Sequence, residues 1–111
     1  DADAELRRAA VQALGEIESQ GAAPPALVDA LADSDAEVRA GAAHALANFE
    51  DPATVKPLGR AMKDPDAEVR RAVVQALSGM HGAAVTPILL AALKDVDAEV
   101  RKSAAEALGE R

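Results

Sequence analysis

Few side chains in this 111-residue chain could do chemistry unaided. Its histidines are His44 and His81, and it has no Cys, Trp or Tyr. Without Cys there is no thiolate nucleophile, no disulfide and no thiolate zinc site. A Ser-His-Asp grouping would have to draw on Ser78, His81 and a loop Asp. Ser78, however, fills a slot that Gly15, Ala47 and Gly109 fill elsewhere, which asks only for a small residue near a helix end. His44 takes the place held by Gln12, Gln75 and Glu106, a polar surface slot, and His81 lies in "GMHG", a solvated turn. There is no P-loop and no dinucleotide fingerprint. The carboxylates are paired at Asp33/Asp35, Asp64/Asp66 and Asp95/Asp97. Pairs that recur at one place in every block read as caps and charge partners, not as a general acid and base. No catalytic residue, metal site or cofactor is expected.

The recurrence itself is the strongest signal. "DAEVR" stands at Asp35–Arg39, Asp66–Arg70 and Asp97–Arg101, with "DAELR" at Asp3–Arg7. The leading Asp of each block falls at Asp1, Asp33, Asp64 and Asp95, at spacings of 32, 31 and 31. Agreement continues through the Ala-Leu pairs ending at Leu14, Leu46, Leu77 and Leu108. A period of this length marks a solenoid of two-helix units, here spanning 1–32, 33–63, 64–94 and the half unit 95–111 as one domain. The extra residue of the first block belongs between Leu14 and Asp33, near Pro24-Pro25, where a loop absorbs it.

Half of the residues are apolar, almost all of them Ala, Leu and Val, and Phe49 is the one aromatic. Ala and Leu lead the helix-propensity scale while strand formers are scarce, so the chain reads as all-helical. The first helix of each unit starts after the second Asp. Asp35, Asp66 and Asp97 are placed to cap it, with Glu37, Glu68 and Glu99 in the first turn, where the helix dipole favours negative charge. In block two, Val38, Gly41, Ala42, Ala45, Leu46 and Phe49 form one stripe at helical spacing. The second helix opens near Pro25, Pro57 or Pro87 and runs to the next block's Asp. Its inward stripe in block two is Val55, Leu58, Ala61 and Met62.

The D-x-D-A-E-V-R-x-x-A-x-x-A-L pattern with a Pro-led second helix resembles the short HEAT-like repeats of about 31 residues, over the whole chain. Such repeats occur in bacterial and archaeal proteins, in bilin-lyase subunits of phycobilisomes and in consensus-designed binders. The resemblance implies an all-α, right-handed αα-solenoid of about 3.5 repeats and seven helices, with first helices convex and second helices concave. It does not fix one activity. Metal-binding HEAT-repeat hydroxylases carry repeated His-Glu dipeptides, and neither His here is followed by Glu. A bilin lyase would need further repeats, a partner subunit and chromophore-holding residues that are not identifiable here. A fragment or subunit of such an enzyme is the alternative to a non-catalytic scaffold.

Two sets of residues follow. Arg7, Arg39, Arg70 and Arg101 flank the buried stripe and are expected to reach Asp33, Asp64 and Asp95 in neighbouring turns, forming an inter-repeat ladder. On the expected concave face the copies disagree: Pro25, Asp29 and Ala32 in block one, Lys56, Arg60 and Lys63 in block two, Pro87, Ala91 and Lys94 in block three. Val28, Gly59 and Leu90 border them. Four bases and one acid on a chain of net charge −7 point to an acidic protein or peptide partner. That net charge, the short stripe and the lack of stacking aromatics argue against nucleic acid. No apolar run approaches the roughly 20 residues of a membrane helix. A Cys-free chain fits either redox setting, with the cytoplasm favoured. The chain reads as a segment or module of a larger solenoid. Neither end shows a specialised cap, so the last helix is expected to fray or to dock its stripe of Val100, Ala104 and Leu108 on another copy.

Overall fold

The computed structural model describes residues 2–17 and 22–111, and every regular element among them is helical. Asp1, the phase marker of block one, lies outside the described residues. The first helices are α1 (Ala2–Gly15), α3 (Ala36–Leu46), α5 (Ala67–Ser78) and α7 (Ala98–Gly109). The second helices are α2 (Pro25–Ala30), α4 (Val55–Ala61) and α6 (Val85–Ala92). The described chain is an α-solenoid of stacked hairpins.

Three first helices begin one residue after the second Asp of their block, because that side chain supplies the missing acceptor. Asp35 accepts from the Val38 amide at 3.0 Å, Asp66 from Glu68 at 2.8 Å and Asp97 from Val100 at 3.0 Å. In block one the helix runs back past Asp3 to Ala2. The second helices stop at Ala30, Ala61 and Ala92, short of the Asp to which the sequence pattern would carry them. A tightened turn fills the gap: Asp33, Asp64 and Asp95 each donate their amide to the carbonyl three residues back, at 3.1 Å. One element is invisible to the period, a 3-10 turn at Pro52–Thr54 ahead of α4. Asp51 caps it by accepting from the Ala53 amide at 3.0 Å.

The core is built in register. Leu27, Leu58 and Leu89, one per second helix, are fully buried, as are Leu46 and Leu77 on the first helices. Val38, Val69 and Val100 of the repeated pentapeptide are buried too, so the motif's apolar letter is a core anchor.

Successive first helices pack directly on one another, and each second helix packs on the first helix of the next block. Close approach is possible because the facing residues are small: a Cβ on Gly15 would stand 2.8 Å from the Ala45 Cβ. Open grooves run between successive second helices, one between α2 and α4 and one between α4 and α6.

The shared Leu of the second helices makes the core testable. Leu58→Ala should lower the unfolding free energy by about 2–5 kcal/mol, read from urea unfolding, because the cavity lies between two layers that cannot both collapse into it.

Candidate functional site: inter-repeat clamps and a basic groove

Arg39, Arg70 and Arg101 each lie one residue past the buried Val of the pentapeptide, and Arg7 one residue past the exposed Leu6, at the edge of the stripe. Arg39 donates from Nε and Nη2 to Asp64 at 2.8 and 3.3 Å. Arg70 does the same to Asp95 at 2.9 and 3.1 Å, and Arg7 to Asp33 at 2.8 and 3.2 Å. These are fork-on-fork bonds, which fix orientation as well as distance. The remaining nitrogen points the other way. Nη1 of Arg39, Arg70 and Arg101 donates to the backbone carbonyl of the leading Asp in its own block, at 2.8, 2.6 and 2.7 Å. The receiving carboxylate is itself held: Asp33, Asp64 and Asp95 each accept the amide two residues on at 2.9 Å. One guanidinium thus ties its own turn to the next. Arg101 keeps the carbonyl bond, and no described carboxylate meets its Nε.

These contacts tune the carboxyls. The Asp35 amide, and after it the Arg7 guanidinium, hold Asp33 below the ordinary carboxylate range. At Asp95 burial is the largest influence and pushes the value up, but Arg70, the Asp97 amide and the charge of Arg101 together bring it down. A second charged contact accompanies the first clamp, with Arg8 Nη1 3.4 Å from Asp35 and 3.3 Å from Glu37.

The other inter-repeat ties occur once each. Asn48 donates to the Gly15 carbonyl at 3.0 Å. Asp51 accepts from the Ala23 amide at 3.0 Å. Arg111 donates to the Met80 carbonyl at 2.7 Å and to Thr86 Oγ1 at 3.2 Å. Arg111 stands where Ile17, Phe49 and Met80 stand in the earlier blocks, so a polar group closes the slot. Of the stripe expected to fray or to dock on another copy, Val100 and Ala104 are buried and Leu108 is half-buried.

The variable surface lies on the second-helix layer, and all seven of its candidates, Asp29, Lys56, Arg60, Lys63, Leu90, Ala91 and Lys94, are exposed. Only part of the set shares a site. Lys56, Arg60 and Lys63 border the groove between α4 and α6, whose apolar lining includes Val55, Gly59, Ala84 and Ile88. Gly59 lets α6 come close there: a Cβ at that position would lie 3.0 Å from the Ile88 Cδ1, the end of a flexible side chain that would have to give way. Arg60 and Lys63 also border the neighbouring groove, with Asp29. Leu90, Ala91 and Lys94 line neither groove.

The residues weighed for catalysis stay apart. Ser78 Oγ donates to the Gln75 carbonyl of its own helix at 2.7 Å, and His44 and His81 are exposed. Among the described residues no group of three His, Asp or Glu is arranged to hold a metal ion.

Stacked helical hairpins joined by a clamp repeated in register define a repeat protein whose units bind first of all to each other. The chain belongs to the HEAT repeats, whose family pattern matches residues 1–58 and 24–109. It is similar to an engineered protein solved by crystallography as Northeast Structural Genomics Consortium target OR329, with TM-score 0.71 and 26% identity. That match covers 97% of this chain, which spans 57% of the engineered one. No curated protein matches the chain.

Removing one clamp has a pH signature. Asp33 and Asp95 bind protons more weakly folded than unfolded, so their stabilisation is complete above the ordinary Asp value of about 3.9 and is lost as pH falls through the lower folded value. Arg70→Ala should therefore cost about 1–3 kcal/mol at neutral pH, with the deficit shrinking below about pH 4. Arg7→Ala should cost less, because that guanidinium is 40% exposed against 11% for Arg70. Urea unfolding of the three chains across pH measures both.

Proposed function

We propose that this HEAT-repeat chain is a non-catalytic interaction scaffold that takes an acidic protein or peptide segment along the second-helix layer, centred on the groove between α4 and α6. The observation that carries the reading is the state of Lys56, Arg60 and Lys63. All three are exposed, none is in an ion pair with a described residue, and they rim an apolar lining on a chain of net charge −7. The framework arginines, by contrast, are spent on clamps. Unpaired cations beside exposed apolar surface suit a segment that brings both carboxylates and an aliphatic side chain. Nucleic acid fits less well, since Phe49, the chain's one aromatic, is buried and no platform for a base exists. No described helix is long and apolar enough to cross a membrane.

Titration with a labelled peptide of alternating Glu and Leu tests this. Binding should weaken as salt rises, and Lys56→Glu/Arg60→Glu/Lys63→Glu should weaken it by about tenfold or more while flattening the salt dependence. Equal binding by the triple variant would place the acidic partner elsewhere or remove it.

A further inference from the structure

The two grooves of the second-helix layer share a rim. Arg60 and Lys63, at the C-terminal end of α4, border both the α4–α6 groove and the α2–α4 groove. Both grooves lie at internal joints, each wall supplied by a helix of this chain. Their far walls differ in charge. On the α6 side the first groove offers Ala84 and Ile88. On the α2 side the second offers Asp29, which is exposed and forms no ion pair with a described residue. Arg60, the matching residue of α4, has a second helix on either side and is exposed too, so this slot faces solvent within the stack.

Charges in the second groove do not balance once the first is filled. Asp64 lines it, but that carboxylate is committed to Arg39 at 2.8 and 3.3 Å and its side chain is 7% exposed. Arg60 and Lys63 would be met by the acids of a segment lying in the α4–α6 groove. Asp29 is then the charge left without a counterpart, beside the half-buried Val28 and the exposed Ala32. A further acid placed there meets a like charge, whereas a base meets an opposite one. Packed helices stand about 10 Å apart and extended chain advances about 3.3 Å per residue, so a segment crossing α4 passes from one groove to the next in about three residues.

Resting on the acidic-partner reading of the α4–α6 groove, we infer that the partner segment is bipolar. Its acids and aliphatic side chain sit on the Lys56, Arg60 and Lys63 side, and about three residues further on a lysine or arginine crosses α4 to meet Asp29. The charge order fixes how the segment lies on the layer, acidic end toward α6 and basic end toward α2.

Labelled peptides test this charge order separately from the reading beneath it. All carry one Glu-Leu-Glu-Leu block, a Gly spacer of about three residues and a tail of Lys, Glu or Gln, and each is made in both chain directions. Titrations are run at about 0.15 M salt, where charges beyond about 8 Å are largely screened. In at least one direction the wild type should bind the Lys tail tighter than the Glu tail by about threefold or more. Asp29→Lys should reverse that preference. Glu106→Lys, an equal change of net charge on the exposed surface of α7, should keep it. Circular dichroism verifies that both variants fold. No preference for the Lys tail in either direction overturns the inference, as does a preference that survives Asp29→Lys or is lost equally in Glu106→Lys. If Lys56→Glu/Arg60→Glu/Lys63→Glu binds the Gln-tailed peptide as well as the wild type does, the acidic-partner reading fails and the bipolar segment with it. If that variant loses the Gln-tailed peptide while the wild type ignores the tail, only the bipolar segment falls.

Discussion

A guanidinium held between two turns governs this architecture. Arg39 and Arg70 each bond a backbone carbonyl in their own block and both oxygens of an aspartate in the next, so each sets distance and rotation together. That aspartate is simultaneously fixed by the amide two residues on. Hydrophobic contact between Ala-rich helices is close to non-directional and would tolerate sliding. A three-way, charge-assisted bond does not. The five repeated letters are therefore the parts of a joint: one Asp to cap, Val to anchor, Arg to reach across, with the leading Asp of the next block to receive it.

The joint also accounts for the difference between the two layers. It lies at the start of the first helices and draws them together, where Gly15, Ala45 and their neighbours leave room for backbones to approach. The second helices carry no such tie, and grooves open between them. Surface cations used in clamps are lost to binding, whereas Lys56, Arg60 and Lys63 remain available beside the α4–α6 groove. Clamps and open grooves are thus divided between the layers by the placement of arginine.

What the sequence made legible was whatever it wrote more than once. The period, the caps at Asp35, Asp66 and Asp97 and the pairing of pentapeptide arginines with leading aspartates could be read because several registers agree on them. Contacts made once left no such trace: Asn48 on the Gly15 carbonyl, Asp51 on the Ala23 amide and Arg111 on Met80 look like ordinary surface residues in the sequence. The 3-10 turn at Pro52 belongs to a single block and escaped for the same reason. The second-helix surface was legible as variable and basic, but which of its residues share a groove depends on the spacing between α4 and α6.

A double-mutant cycle on Arg39 and Asp64 tests the joint most directly. Unfolding free energies would be measured for the wild type, Arg39→Ala, Asp64→Ala and the pair. Because this clamp is mostly shielded from solvent, with side chains 16% and 7% exposed, a coupling of about 1–2 kcal/mol is expected. Additive losses, with coupling under about 0.5 kcal/mol, would mean that the stack is held by its apolar faces alone and that the repeated arginine does not join one unit to the next.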